Sequence, residues 1–227
     1  MFIGHFAAGF AAKRLAPRVS LGTLLLAAAF IDLLWPIFLI LGLEHARIDP
    51  GNTAFTPLDF NDYPITHSLP GVLLWAVALG GTVHFFPRNG KKGDGLGSAL
   101  VVGGLVVSHW VLDAIVHRPD LPVLPDVPYV GLGLWNSIAA TIVVEGSMFA
   151  AGVALYVRST RARDRIGRWG LAAFVAFLVV AYVTNILAPP PPSARALAYG
   201  ALVAWLLVPW PYWIDRRRVS SGPASPR

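Results

Sequence analysis

The stretch 108–117, SHWVLDAIVH, sets two imidazoles and a carboxylate four residues apart inside a run that is otherwise almost wholly apolar from Ala99 to Val116. On a helix each such step turns the chain by about 40° and raises it by about 6 Å, so His109, Asp113 and His117 form one slanted stripe. The chain has no cysteine. Any metal site must therefore be built from His, Asp and Glu, the donors that suit zinc and other first-row divalent ions. His109 and Asp113 can share an ion. His109 and His117, about 12 Å apart along the axis, cannot, which leaves His117 to a second ion, to a supporting role or to a substrate.

Other ionisable residues fall where an apolar chain rarely keeps them. Asp32 and Glu145 sit deep in long apolar runs, where a carboxylate costs about 2.5–3.5 kcal/mol on insertion scales unless something compensates. Helix-to-helix hydrogen bonding is the plain alternative for both. His67 opens a helical run in YPITHSLPG, with Thr66 as a possible cap, and the free N–H groups of that first turn favour an anionic group. His5 lies in the short apolar segment 2–12. His45 and His84 read as interfacial or simply hydrogen-bonded residues.

The elements that must carry these groups follow from composition. A content 56% hydrophobic and 13% charged, with mean hydropathy +0.61, is too apolar for a soluble domain and points to a bilayer protein. The expected fold is an all-α polytopic bundle, a single transmembrane domain over residues 1–215. Its six spans run at about 20–43, 66–86, 97–117, 131–157, 169–187 and 196–214, each near the ~20 residues a bilayer requires. Segment 2–12 is too short to cross and reads as an interfacial or re-entrant helix. The apolar run after Arg18 continues far beyond the length of a signal peptide, so it reads as a retained anchor.

Basic residues alternate between the spans. Lys13, Arg14 and Arg18, then Arg88, Lys91 and Lys92, then Arg158, Arg161, Arg163, Arg165 and Arg168, then Arg216, Arg217, Arg218 and Arg227 fall on one side. Only Arg47, Arg118 and Arg195 of the 18 Lys and Arg fall opposite. This bias predicts an inner-membrane protein with both termini cytoplasmic, and it accounts for a pI near 10 without nucleic acid as a partner. Outside, residues 118–128 place Pro119, Pro122, Pro125 and Pro128 every third position, the period of a stiff polyproline II segment that could wall a site beside His117. Trp135, Trp169, Trp210 and Trp213 suit interfacial belts. Residues 216–227 read as a disordered cytoplasmic tail.

The pieces GHFAAGFAAKRLAP, FIDLLW, THSLPG and SHWVLD resemble the YdjM-like family of membrane-bound metal-dependent hydrolases over about residues 1–120. The family carries a basic pair just ahead of its THS motif, where NDYPI stands here. The resemblance implicates His5, Asp32, His67, His109 and Asp113. The expected activity is metal-assisted hydrolysis, with His67, His109, Asp113 and His5 as ligands of zinc or, second, manganese. Asp32 or Glu145 would take a proton from bound water or orient an imidazole, and His117 and Arg118 at the outer mouth would hold a phosphate or carboxylate of an amphiphilic or lipid-linked substrate. The competing expectation is a small transporter or permease subunit that uses the same groups as a proton or metal pathway. Against it stand the lack of an internal repeat and the concentration of polar residues in the first three spans.

Overall fold

The computed structural model describes residues 1–86, 95–125 and 127–221. Arg88, Lys91, Lys92 and Arg227, four of the residues in the charge bias, lie outside the described residues.

The chain is mostly helical, as its hydropathy requires. Helix α1 (Ile3–Ala12) is followed by α2 (Leu21–Ala28) and α3 (Phe30–Leu41), which are bent against each other by 54°. Next come α4 (Pro64–His67), α5 (Leu69–Phe85), α6 (Gly95–Val116), α7 (Ile138–Ser159), α8 (Arg165–Leu187), α9 (Ala194–Leu202) and α10 (Pro209–Arg216). Among the described residues, four segments are long and apolar enough to cross a membrane: α6, α7, α8 and the continuous run Ala194–Arg216. The bent pair α2 and α3 makes a fifth if taken as one span, and α5, at 17 residues, is slightly shorter. Apolar side chains such as Leu74, Val77, Leu100, Val143, Val180 and Leu206 point outward, a surface that lipid, not water, accommodates.

Several expected spans are interrupted, and for most of them the physical reason is local. The run 66–86 breaks at Ser68, whose hydroxyl accepts from Gly71 N and so starts a new helix at Leu69. The span expected from residue 131 begins only at Ile138, because Gly133 takes φ +73 and Leu134–Asn136 forms a 3-10 turn before Ser137 caps α7. The run 20–43 breaks at Ala29, and α3 ends at Gly42, whose φ of +68 lets Leu43 N reach back to Phe38 O.

The fold is not purely helical. Three two-stranded antiparallel ribbons join the helices among the described residues: β1 (His45–Ile48) with β2 (Leu58–Asp62), β3 (Leu121–Pro122) with β4 (Tyr129–Val130), and β5 (Thr160–Ala162) with β6 (Arg218–Ser220). The expected polyproline segment is thus partly a ladder. The expected tail is partly ordered too, because Arg218 pairs in β6 and its guanidinium donates to Thr160 Oγ1 and Gly167 O; residues 222–227 lie outside the described residues. Trp135 is also not a belt residue. It is buried against His117, Phe60 and Phe55.

The ends of the bundle segregate by charge. Lys13 Nζ donates to Asp215 and to Val19 O, and Ser220 donates to Pro17 O, so the basic segments near residues 13–20, 158–168 and 212–220 share one end. The β1–β2 hairpin and the 117–137 connection meet at the other, through Phe55 N to Trp135 O and Arg118 to Asp59. Met1 belongs to neither end. It is buried at the level of the polar cluster described below.

Helix α1 is largely buried, packed on α2, α6 and α7. Its seat depends on Gly152 of α7, where a Cβ would collide with the Ala7 carbonyl, and Glu145 of α7 accepts from the N–H groups of Phe2 and Gly4 at the start of α1. Gly152→Val should therefore push α1 off α7, at a cost of roughly 1–3 kcal/mol or more. A thermal midpoint in detergent several degrees below wild type is the expected result; an unchanged midpoint would mean that α1 is not held by this contact.

Candidate metal centre

Five side chains from four helices converge where α1, the α2–α3 bend, α4 and α6 meet. Asp113, on α6, is the hub. Its Oδ1 lies 3.1 Å from His5 Nε2, and its Oδ2 lies 3.1 Å from His109 Nε2 and 3.9 Å from His67 Nε2. Asp32, in the first turn of α3, faces it: Oδ1 is 3.5 Å from His109 Nε2 and 3.9 Å from His67 Nε2, while Oδ2 is 4.0 Å from His5 Nε2. Donor atoms bound to one ion at about 2.0–2.2 Å stand roughly 3–3.5 Å from their neighbours and about 4 Å across the ion. The observed separations fall in that range. Two triads, His5–His109–Asp113 and Asp32–His67–His109, each bring donor atoms close enough to hold a metal ion.

The imidazoles are oriented from behind. His109 Nδ1 donates to the carbonyl of Ala28, 2.9 Å away, one of the last carbonyls of α2, which a helix end leaves short of a donor. The bend at Ala29 thus fixes the tautomer that turns Nε2 toward the carboxylates. That nitrogen makes no aligned hydrogen bond although Asp113 is 3.1 Å away, as expected of a lone pair aimed at a ligand position. His67 is set differently. Thr66 donates its hydroxyl to Glu44 Oε2 and its N–H to Glu44 Oε1, all at 2.7 Å, which leaves the Thr66 oxygen to accept from His67 Nδ1, also at 2.7 Å. Burial pushes the Glu44 carboxyl above the ordinary carboxylate range, and the two bonds from Thr66 work against that shift. Thr66 is therefore not the cap of α5, a role Ser68 takes, but a link in a carboxylate–hydroxyl–imidazole chain.

Not every expected site residue joins this cluster. Glu145 Oε2 is used at the start of α1, while its Oε1 is buried without a hydrogen-bond partner. His117 Nδ1 lies 2.9 Å from Asp120 Oδ1, and its ring is held among Phe60, Tyr63 and Trp135. Arg118 is paired with Asp59 at 2.5 Å and Asp120 at 3.1 Å. Both carboxylates hold the Arg118 guanidinium beside the β1–β2 hairpin. The α-amino group of Met1, 2.5 Å from Asp113 Oδ1, is a further buried partner that motif reasoning did not include.

Access to the cluster is uneven. His5, His67, His109 and Asp113 are all buried, whereas the Asp32 side chain is 45% exposed. On the outer side Tyr63, wedged between His67 and His117, is buried as well. Asp32 instead lines an apolar cavity of about 540 Å³, bounded by Phe6, Leu25, Trp35, Phe174, Leu197 and Ala204 among others. No family model matches the chain, and neither a curated protein nor a solved structure matches it.

If Thr66 orients His67, Thr66→Val should weaken binding of a divalent ion by about 10–100-fold, the usual cost of losing such a support, while Thr66→Ser restores it. Titration against a competing chelator measures this, and equal affinities for wild type and the Val variant would exclude the role.

Proposed function

We propose that the chain is an integral membrane metal-dependent hydrolase acting on an amphiphilic or lipid-linked substrate, in keeping with its resemblance to the YdjM-like family. One observation carries the reading: three imidazoles and two carboxylates are gathered at one buried point whose exposed member, Asp32, opens on an apolar cavity. His67, His109, Asp113 and His5 would hold the ion, zinc before manganese on donor type. Such an ion supplies Lewis acidity and lowers the pKa of bound water towards neutrality.

The chain's own residues do the rest. Ala28 O and Thr66 hold His109 and His67 in one tautomer each. Asp32, at the boundary between cluster and cavity, is the carboxylate that attacking water and a leaving group would meet first, and it would orient them. Glu145 contributes by fixing α1, and with it His5, more than by direct proton transfer. The cavity wall, apolar apart from Asp32 and Asn185, suits an acyl or prenyl chain whose polar head stops at Asp32. It lies on the side of the α2–α3 bend, α8 and α9, so approach from within the bilayer fits better than approach from the outer loops.

This reading includes six crossings in all, counting the bent pair and α5, with the basic end cytoplasmic in an inner membrane. A transport pathway would string its ionisable groups along the axis; here they meet at one level, which favours a binding centre.

Detergent-purified protein should carry zinc or manganese by mass spectrometry. It should also hydrolyse nitrophenyl phosphates or esters with long alkyl chains in preference to short ones. Asp113→Asn should lower this activity by at least about a hundredfold, as expected when an essential catalytic group is lost, without loss of fold by circular dichroism. Ala201→Trp, which fills the cavity, should reduce long-chain turnover while metal content stays as in wild type. Full activity in Asp113→Asn, or a metal-free wild type, would overturn the proposal.

A further inference from the structure

We infer that the centre holds two metal ions, not one, with Asp113 and Asp32 bridging between them. The inference rests on the metal reading above and concerns how the donors divide. The rings of His5 and His109 are stacked, centroids 3.6 Å apart and planes within 8° of parallel. An imidazole binds a metal along the lone pair in its own ring plane. A single ion shared by these two rings would lie up to about 1.8 Å out of each plane, half the 3.6 Å separation, with bonds of only about 2.0–2.1 Å. Both bonds would then be badly misdirected. The stack therefore separates the two nitrogens onto different ions, although both lie near the same carboxylate.

The oxygens sort in the same way. Asp113 Oδ2 and Asp32 Oδ1 are the atoms nearest His109 and His67, while Asp113 Oδ1 and Asp32 Oδ2 are the atoms nearest His5. Each carboxylate thus offers one oxygen to each side. His67 is free to join the first set, because its ring is inclined by 64° to that of His109. The first ion then has two nitrogens and two oxygens; the second has one nitrogen and two oxygens.

The test uses the full chain in detergent, stripped of metal and reloaded with Mn²⁺ alone. Two Mn²⁺ per chain by mass spectrometry, with an exchange-coupled electron paramagnetic resonance spectrum, is the expected result. His5→Gln should halve the count and leave the hyperfine pattern of an isolated ion, and His67→Gln should weaken binding of the other ion. Chromatographic monodispersity and circular dichroism check both variants; if either misfolds, the wild-type count and coupling decide alone. One uncoupled ion per chain in wild type would overturn the dinuclear inference and leave the hydrolase proposal standing, with the Met1 ammonium serving the second oxygen. No bound ion would overturn both.

Discussion

Everything in this molecule is arranged around one expensive group, the Asp113 carboxylate. It lies on α6, one of the most apolar helices of the chain, and is buried. Taking a carboxylate out of water costs several kcal/mol unless it is matched by positive charge and donors. The match comes from far along the sequence: His5 and Met1 on or before α1, His67 at the end of α4, and His109 one turn away. The buried course of α1, the bend at Ala29 and the break at Ser68 all serve to bring partners to that carboxylate, and each sacrifices regular helix to do so.

Helix interruption is the common device. A continuous α2–α3 would keep the Ala28 carbonyl within its own ladder, whereas at the helix end it orients His109. A continuous α4–α5 would carry His67 in the middle of a span, whereas the Ser68 break leaves it at the end of a short helix, in reach of Thr66 and Glu44. Irregular backbone at such depth is tolerated in membrane proteins where it lies against protein or a cavity rather than lipid. Both breaks meet that condition here.

The sequence made the ligand candidates legible for a physical reason. Ionisable residues in apolar helices are costly, so His109, Asp113, Asp32 and His67 stood out by type and spacing alone, and the structure does bring them together with His5. Apolar spans were equally legible, but their breaks less so: AAAF at 27–30 contains no Pro or Gly to announce the bend. Glu44 was not among the expected site residues because its partner Thr66 is 22 residues away. The partners of Arg118 and His117 were illegible for the converse reason. Adjacent to the stripe in sequence, both residues are claimed in space by Asp59 and Asp120, a pairing that only the folded β1–β2 hairpin reveals.

The cavity that ends at Asp32 has a consequence for how affinity itself would be expressed. Its wall offers an amphiphile much the same environment as the surrounding hydrocarbon, so moving an alkyl chain from lipid into it releases little free energy of the kind that drives apolar groups out of water. Discrimination then falls to the head group. For such a ligand, occupancy follows its mole fraction among the lipids rather than its molarity in the aqueous phase, and diluting the bilayer with inert lipid lowers saturation even when the bulk concentration is held constant.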